Sequence, residues 1–408
     1  MSLTFPIYLD YHATTPVDPR VLETMVPYFA ERFGNAASRS HRFGWDAEAA
    51  VERARAQAAA LIGAAASEII FTSGATESNN LAIKGVVNAY VRGIRLQPDL
   101  QPDSGTKARP HVITTAIEHK SVLDTCSRLE TLGCRVTCLP VDGAGRVDPG
   151  DVRKAISDET VLVSVMAASN EVGSIQPLAE IGAITRERGV LLHSDAAQAA
   201  GKIPLDVRAL GVDLLSFTAH KMYGPKGVGA LYVRRRARVS LDPLLEGGGQ
   251  ERGVRSGTLN VPGIVGLGRA AEVNAAELPA ESARLSALRD RLYEGLCRNL
   301  PGVGLNGSLE RRLPHNLSVH FAGVAGEAIL VAIDDLALST GSACASGSVE
   351  PSYVLKACGI SDDLALSSIR FGLGRFTTTE EIDYAIEKVT SVIRQLRRSH
   401  ASAHAGHA

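Results

Sequence analysis

The sequence predicts an α/β fold: a mainly parallel sheet with helices on both faces. Three observations predict it. Short apolar runs alternate with amphipathic stretches along most of the chain, and the runs end in polar or glycine-containing turns. The chain has 408 residues, which favours a second, smaller domain over one ordinary core.

The elements follow in order. Asp46 to Ile62, rich in Ala, Glu and Arg, reads as a helix. Glu68 to Thr72 reads as a strand, Ser73-Gly74-Ala75-Thr76-Glu77 as a turn, and Ser78 to Val91 as a helix. The alternation then repeats: strand His111–Thr115, helix His119–Leu132, strand Arg135–Leu139, helix Pro149–Ile156, strand Val161–Val165, helix Pro177–Arg188. Val190–His193, Asp213–Phe217 and Val228–Val233 give three more strands. Such alternation implies parallel strands joined by crossover helices. Residues 95–110, with scattered Pro, Asp and Gly and no periodicity, are expected to form an exposed loop. Pro262 to Leu300 reads as one or two long helices bridging to a second domain, and Asn316–Phe321 restarts with a strand. The Ala/His/Ser-rich end, 396–408, is expected to be disordered.

Bulk properties exclude several classes. Forty-three basic and 44 acidic side chains nearly cancel, which argues against a nucleic-acid or membrane surface. No signal-peptide pattern opens the chain and no apolar run reaches membrane-span length, so a cytoplasmic protein is expected. Six cysteines, at 126, 134, 138, 297, 344 and 358, include no Cys-x-x-Cys pair, and neither zinc nor disulfides are expected. Five of the six read as small buried apolar residues.

Five polar clusters fall just after predicted strands, where open α/β sheets collect ligands. Thr218, His220 and Lys221 follow one strand. The lysine is either a solvated surface residue or an amine able to form a Schiff base with an aldehyde cofactor, beside hydroxyl and imidazole donors for a phosphate. Asp195 is either a helix cap or a carboxylate facing the ring nitrogen of pyridoxal 5′-phosphate (PLP), with Gln198 close by. The Gly74 turn, with Ala75 and Thr76, offers backbone N–H groups to a phosphate. His119, after Glu118, is a cap or a stacking residue, and Asn170 follows a further strand. Two more features lie beyond these. Cys344 sits among small residues from Ser339 to Ser348, as an inert loop thiol or a nucleophile on a moving loop. Arg370 lies among apolar neighbours and needs an anion, from a structural ion pair or a substrate carboxylate.

These residues resemble the cysteine desulfurases of the IscS/NifS group, fold-type I PLP enzymes of the class V aminotransferase family. The resemblance runs from about Ile7 to Val392. It is carried by Tyr8-Leu9-Asp10-Tyr11, Ala13-Thr14-Thr15-Pro16, Phe33-Gly34-Asn35, Ser38-Arg39-Ser40-His41, Thr72 to Ser78, Arg255-Ser256-Gly257-Thr258 and Glu350-Pro351-Ser352-Tyr353. It implies a large PLP-binding domain over 14–262 and a smaller α+β domain from 1–13 and 263–395. It implies Lys221 as the Schiff-base lysine, Asp195 as partner of the ring nitrogen and His119 stacked on the ring. Asn170 and Gln198 would lie near the ring hydroxyl, and Ala75, Thr76, Thr218 and His220 on the phosphate. Thr258 would reach the phosphate of a second subunit, so a homodimer is implied. Arg370 and Asn170 would bind the carboxylate of L-cysteine. Cys344 would take the sulfur as a persulfide, the one route by which it would contact a nascent cluster. A sulfur acceptor would follow, such as an iron–sulfur scaffold or a tRNA-thiolation relay protein. Two departures stand out. Thr218-Ala219 replaces the Ser-Gly of the family's Ser-Gly-His-Lys string, and the C-terminal tail differs from the scaffold-docking one.

Overall fold

The computed structural model describes residues 3–94, 109–235, 239–340 and 350–405, the last few of these by backbone alone. Its strands are β1 (Ile7–Tyr8), β2 (Ile69–Thr72), β3 (His111–Thr115), β4 (Arg135–Leu139), β5 (Thr160–Ser164), β6 (Leu191–Asp195), β7 (Leu214–Thr218), β8 (Gly229–Val233), β9 (Val303–Leu305), β10 (Asn316–Phe321), β11 (Leu336–Ala337) and β12 (Ser368–Gly372). Seven of them form one sheet in the order β2-β8-β7-β6-β5-β3-β4. Pairs β7–β6, β6–β5, β5–β3 and β3–β4 are parallel, and β8 runs antiparallel to both its neighbours.

Strands β3, β5, β6 and β7 are buried along their whole length, as parallel strands covered on both faces must be. Their side chains alternate between two cores. Ile113, Val163, Leu192 and Leu215 enter one, with the helices Arg42–Leu61 and Leu178–Glu187 and the start of Val261–Asn299. Val112, Leu162, Leu191 and Leu214 enter the other, under the helices Ala75–Val91 and Lys120–Thr131. The first core needs a close helix crossing. A Cβ on Gly268 would come within 2.5 Å of Ala54 Cα, so only glycine admits this approach.

A second body of apolar residues surrounds the antiparallel sheet β12-β10-β9. The helix Val261–Asn299 serves both. Its first turns pack on the large sheet through Ile264, Leu267 and Ala271, and its last turns reach the small sheet through Leu288, Leu292 and Leu296.

Several expectations need correction. The last helix runs Thr379–Ala405, so residues 396–405 are helical where disorder was expected. Alanines at 401, 403 and 405 are the best helix formers and extend an amphipathic helix already in progress. Cys138 and Cys297 are exposed rather than buried. Cys138 lies on edge strand β4, and Cys297 in the last turns of its helix. Most of the 95–110 segment, Cys344 and the last residues of the tail lie outside the described residues.

Candidate active site

Beyond the carboxyl ends of the parallel strands lies a cavity of about 640 Å³. Its lining includes Ala75, Thr76, His119, Asn170, Asp195, Gln198, Thr218, His220, Lys221 and Arg370. Every predicted cofactor or substrate residue among the described ones reaches it except Thr258, which is exposed in the loop after Arg255. Because the polar residues sit at strand ends, the sheet register brings together side chains far apart in sequence.

Gly74 starts the helix Ala75–Val91 with φ 156°, a conformation that suits glycine, and among the described residues no side chain caps the helix. The turn rests on β8, where a Cβ at Gly229 would lie 2.7 Å from Gly74 Cα. An uncapped helix start on the cavity wall is a ready seat for an anion.

Asp195 ends β6. Its Oδ1 accepts the Ala197 N–H at 2.9 Å, a capping contact, and its Oδ2 accepts from Asn79 Nδ2 at 2.7 Å. It therefore caps a turn and also presents a fixed carboxylate. Lys221 ends the short 3₁₀ turn after β7, and its ammonium donates to the carbonyls of His12 and Ala13, the latter at 2.7 Å. His220 Nδ1 lies 3.2 Å from Thr14 Oγ, so the N-terminal segment forms the opposite rim. His119 is the N-cap of the helix Lys120–Thr131, its Nδ1 accepting from Ser121 N.

Arg370 comes from β12 of the small sheet. Its guanidinium pairs with Asp10 at 2.9 Å and donates to the Asn170 carbonyl at 3.1 Å. So the structural ion pair exists, yet the side chain still lines the cavity, and its buried Nε has no partner among the described residues.

Sequence reasoning assigned no role to His12. It is buried in the cavity wall, its Nδ1 3.0 Å from Gln198 Oε1, while Gln198 Nε2 donates to the His12 carbonyl. Burial, with Arg370 nearby, holds its imidazole well below the usual histidine range, so it is a neutral clamp on Gln198. His12 precedes any long element, and no periodicity marks it. Ser121 also went unremarked, because one hydroxyl in the first turn of a helix looks ordinary.

Residues 7–385 match the family model for aminotransferase class V. The chain belongs to the aminotransferase class V family. Within it, the chain is 58% identical over 395 residues to the cysteine desulfurase IscS of Anaeromyxobacter dehalogenans, covering 97% of this chain and 94% of that one. It is 53% identical over 396 residues to the cysteine desulfurase IscS of Rickettsia africae, covering 97% and 93%. Among solved structures, a NifS-like protein superposes with TM-score 0.86 at 39% identity, over 96% of this chain and all of that one. A protein titled SspA in complex with cysteine superposes with TM-score 0.77 at 37% identity, over 91% of this chain and all of that one.

This class V aminotransferase fold uses PLP, and the residues present fit it. The uncapped helix at Gly74 suits the phosphate, the clamped Asp195 suits a protonated ring nitrogen, and the Lys221 amine is within the same cavity.

Proposed function

We propose that this chain is a PLP-dependent cysteine desulfurase, a cytoplasmic homodimer. It takes the sulfur of L-cysteine onto Cys344, releases alanine, and passes the sulfur on for iron–sulfur cluster assembly or tRNA thiolation. One observation carries the reading beyond family membership: the described residues that flank Cys344 in sequence, Ser339 before it and Ser352 and Tyr353 after it, are bonded beside the cavity. Before it, Ser339 O accepts the Arg370 N–H at 2.6 Å. After it, the Ser352 hydroxyl donates to Glu171 Oε2, and Tyr353 Oη donates to the Glu118 carbonyl at 2.7 Å. Glu171 adjoins Asn170 and Glu118 adjoins His119, so each tether ends beside a cavity residue. Cys344 lies five residues past Ser339, a reach of at most about 18 Å.

When bound, PLP supplies an electron sink for the pair left as a proton leaves the substrate carbon beside the amino group. The residues divide the remaining work. Arg370 and Asn170 hold the substrate carboxylate. Lys221 Nζ moves the carbon-bound proton. Asp195 holds a proton on the ring nitrogen, and Ala75, Thr76, Thr218 and His220 hold the phosphate. The Cys344 thiolate attacks the substrate sulfur. The carbon–sulfur bond breaks, its electron pair stays on the three-carbon skeleton, and that skeleton leaves as alanine after protonation.

The homodimer draws on two features. Thr258 is exposed and outside its own cavity, free to serve a neighbour's. Phe29, Phe33, Phe43 and Trp45 are each more than half exposed, an apolar surface that a partner would cover.

The test is to incubate the purified protein with L-cysteine and a thiol reductant, beside Cys344→Ala. Equimolar alanine and sulfide, lost in the variant, is the expected result. Alanine independent of Cys344, or formed only from selenocysteine, would overturn the reading.

A further inference from the structure

Under the cavity floor lies a side chain that does not itself line the cavity but holds two residues that do. Asn79 is fully buried in the helix Ala75–Val91. Its Nδ2 donates to Asp195 Oδ2 at 2.7 Å and to Ser121 Oγ at 2.8 Å. Both amide hydrogens are therefore committed, while its Oδ1 has no partner among the described residues.

The directions of these bonds can be worked out. Exchanging the amide oxygen and nitrogen would point an oxygen at the Asp195 carboxylate, acceptor against acceptor, so Nδ2 must face it. Ser121 Oγ accepts from Asn79, which leaves its own hydrogen for His119 Nδ1, 2.8 Å away. The Ser121 backbone N–H reaches the same nitrogen at 3.1 Å. Nδ1 accepts from both, so the neutral imidazole carries its hydrogen on Nε2.

We propose that Asn79 is a positioning residue: one buried amide sets the Asp195 carboxylate directly and, through Ser121, the ring of His119. Two groups that would hold the cofactor ring, Asp195 at its nitrogen and His119 on its face, are then aligned by a single side chain. This rests on the PLP reading above. Asn79 does not line the cavity, and its influence on His119 passes entirely through the Ser121 hydroxyl.

The test uses the full chain, labelled with ¹⁵N at histidine and read with and without added PLP. Wild type is compared with Asn79→Leu, Ser121→Ala and the double variant, and His119→Gln identifies the His119 signals. Asn79→Leu keeps volume but removes both donors. It is expected to weaken PLP binding roughly tenfold or more and to move the His119 ring nitrogens, although Asn79 does not touch that ring. Ser121→Ala is expected to weaken binding only about threefold. In the Ser121→Ala background, Asn79→Leu should still weaken PLP binding but move the His119 signals no further. If leucine is not accommodated, Asn79→Ala serves the same comparison. His119 signals that ignore Asn79, or that respond equally in both backgrounds, would overturn the proposal, as would unchanged PLP affinity. A wild-type chain that gives no visible band with PLP would instead overturn the cofactor reading itself.

Discussion

The cavity has two walls of different origin. One is made by the ends of parallel strands and the turns after them: Gly74 to Thr76, His119, Asp195, Thr218 and Lys221. Most of its polar groups are tied to one another or to local backbone, as in the Asp195–Asn79–Ser121–His119 series, and Lys221 alone of those named reaches across to the His12 and Ala13 carbonyls. The other wall comes from the N-terminal segment and the small sheet, and its ties cross the molecule. Arg370 pairs with Asp10, 360 residues away, and Asn316 Nδ2 meets His12 Nε2 at 3.1 Å. The first wall, Lys221 apart, is set within one body of the fold. The second is set by contacts between the small sheet and the rest. The first suits a resident cofactor that must be held rigidly, and the second a substrate that comes and goes.

If this division is right, changes to the two walls should differ in kind. The largest effect is expected on the strand-end wall. Lys221→Ala should abolish the visible band of the bound cofactor in its wild-type form and lower alanine formation by ~10²–10⁴-fold, measured by amino-acid analysis. On the other wall, Arg370→Lys should leave that band unchanged. It replaces a planar fork with a point charge, so KM for L-cysteine should rise roughly 10–100-fold with a smaller change in kcat. A band shift in the arginine variant, or a pure KM effect in the lysine variant, would erase the distinction between the walls.

A smaller effect should come from the tether after the Cys344 segment. Ser352 caps the helix Tyr353–Ala357 through the N–H groups of Val354 and Leu355 and donates to Glu171. Ser352→Ala removes both contacts. We expect about 1 kcal/mol of destabilisation, read by denaturant titration, and a several-fold fall in sulfide release with the cofactor band intact. Loss of the band would mean that the tether belongs to the cofactor wall after all.

Most of the strand-end wall was legible in the sequence, because parallel strands advertise themselves as apolar runs and their polar ends follow directly. The boundaries shifted slightly but informatively: β6 and β7 each run on to include Asp195 and Thr218. The cross-molecule wall was legible only in part. Arg370 stood out as a charge among apolar neighbours, but its Asp10 partner could not be read, since nothing in local pattern links residues 360 apart. Asn79, Ser121 and His12 were silent for a related reason. Each is one ordinary polar residue whose importance comes from what the fold sets against it.

The smallest effect separates the walls by pH. Glu118 is fully buried beside His119, and burial pushes its carboxyl up to about 8 from 4.5. Glu171, on the tether side, is likewise pushed up to about 7 by burial, with the Ser352 hydrogen bond opposing. A carboxyl raised by folding keeps its proton longer in the folded state than in the unfolded one. Its stabilising contribution is therefore complete below about 4.5 and is lost as pH rises toward the folded value. The loss should span pH 4.5 to 7 for Glu171 and continue to about 8 for Glu118. Glutamine mimics the protonated acid and does not titrate. Glu118→Gln should match wild type in melting temperature near pH 5 and exceed it by roughly 2–4 °C near pH 8.5. Glu171→Gln should reach its full advantage about one pH unit lower, by pH 7.5. Coincident curves for the two variants would mean that the carboxyls titrate as one unit across the cavity, and the two walls would then be electrostatically joined.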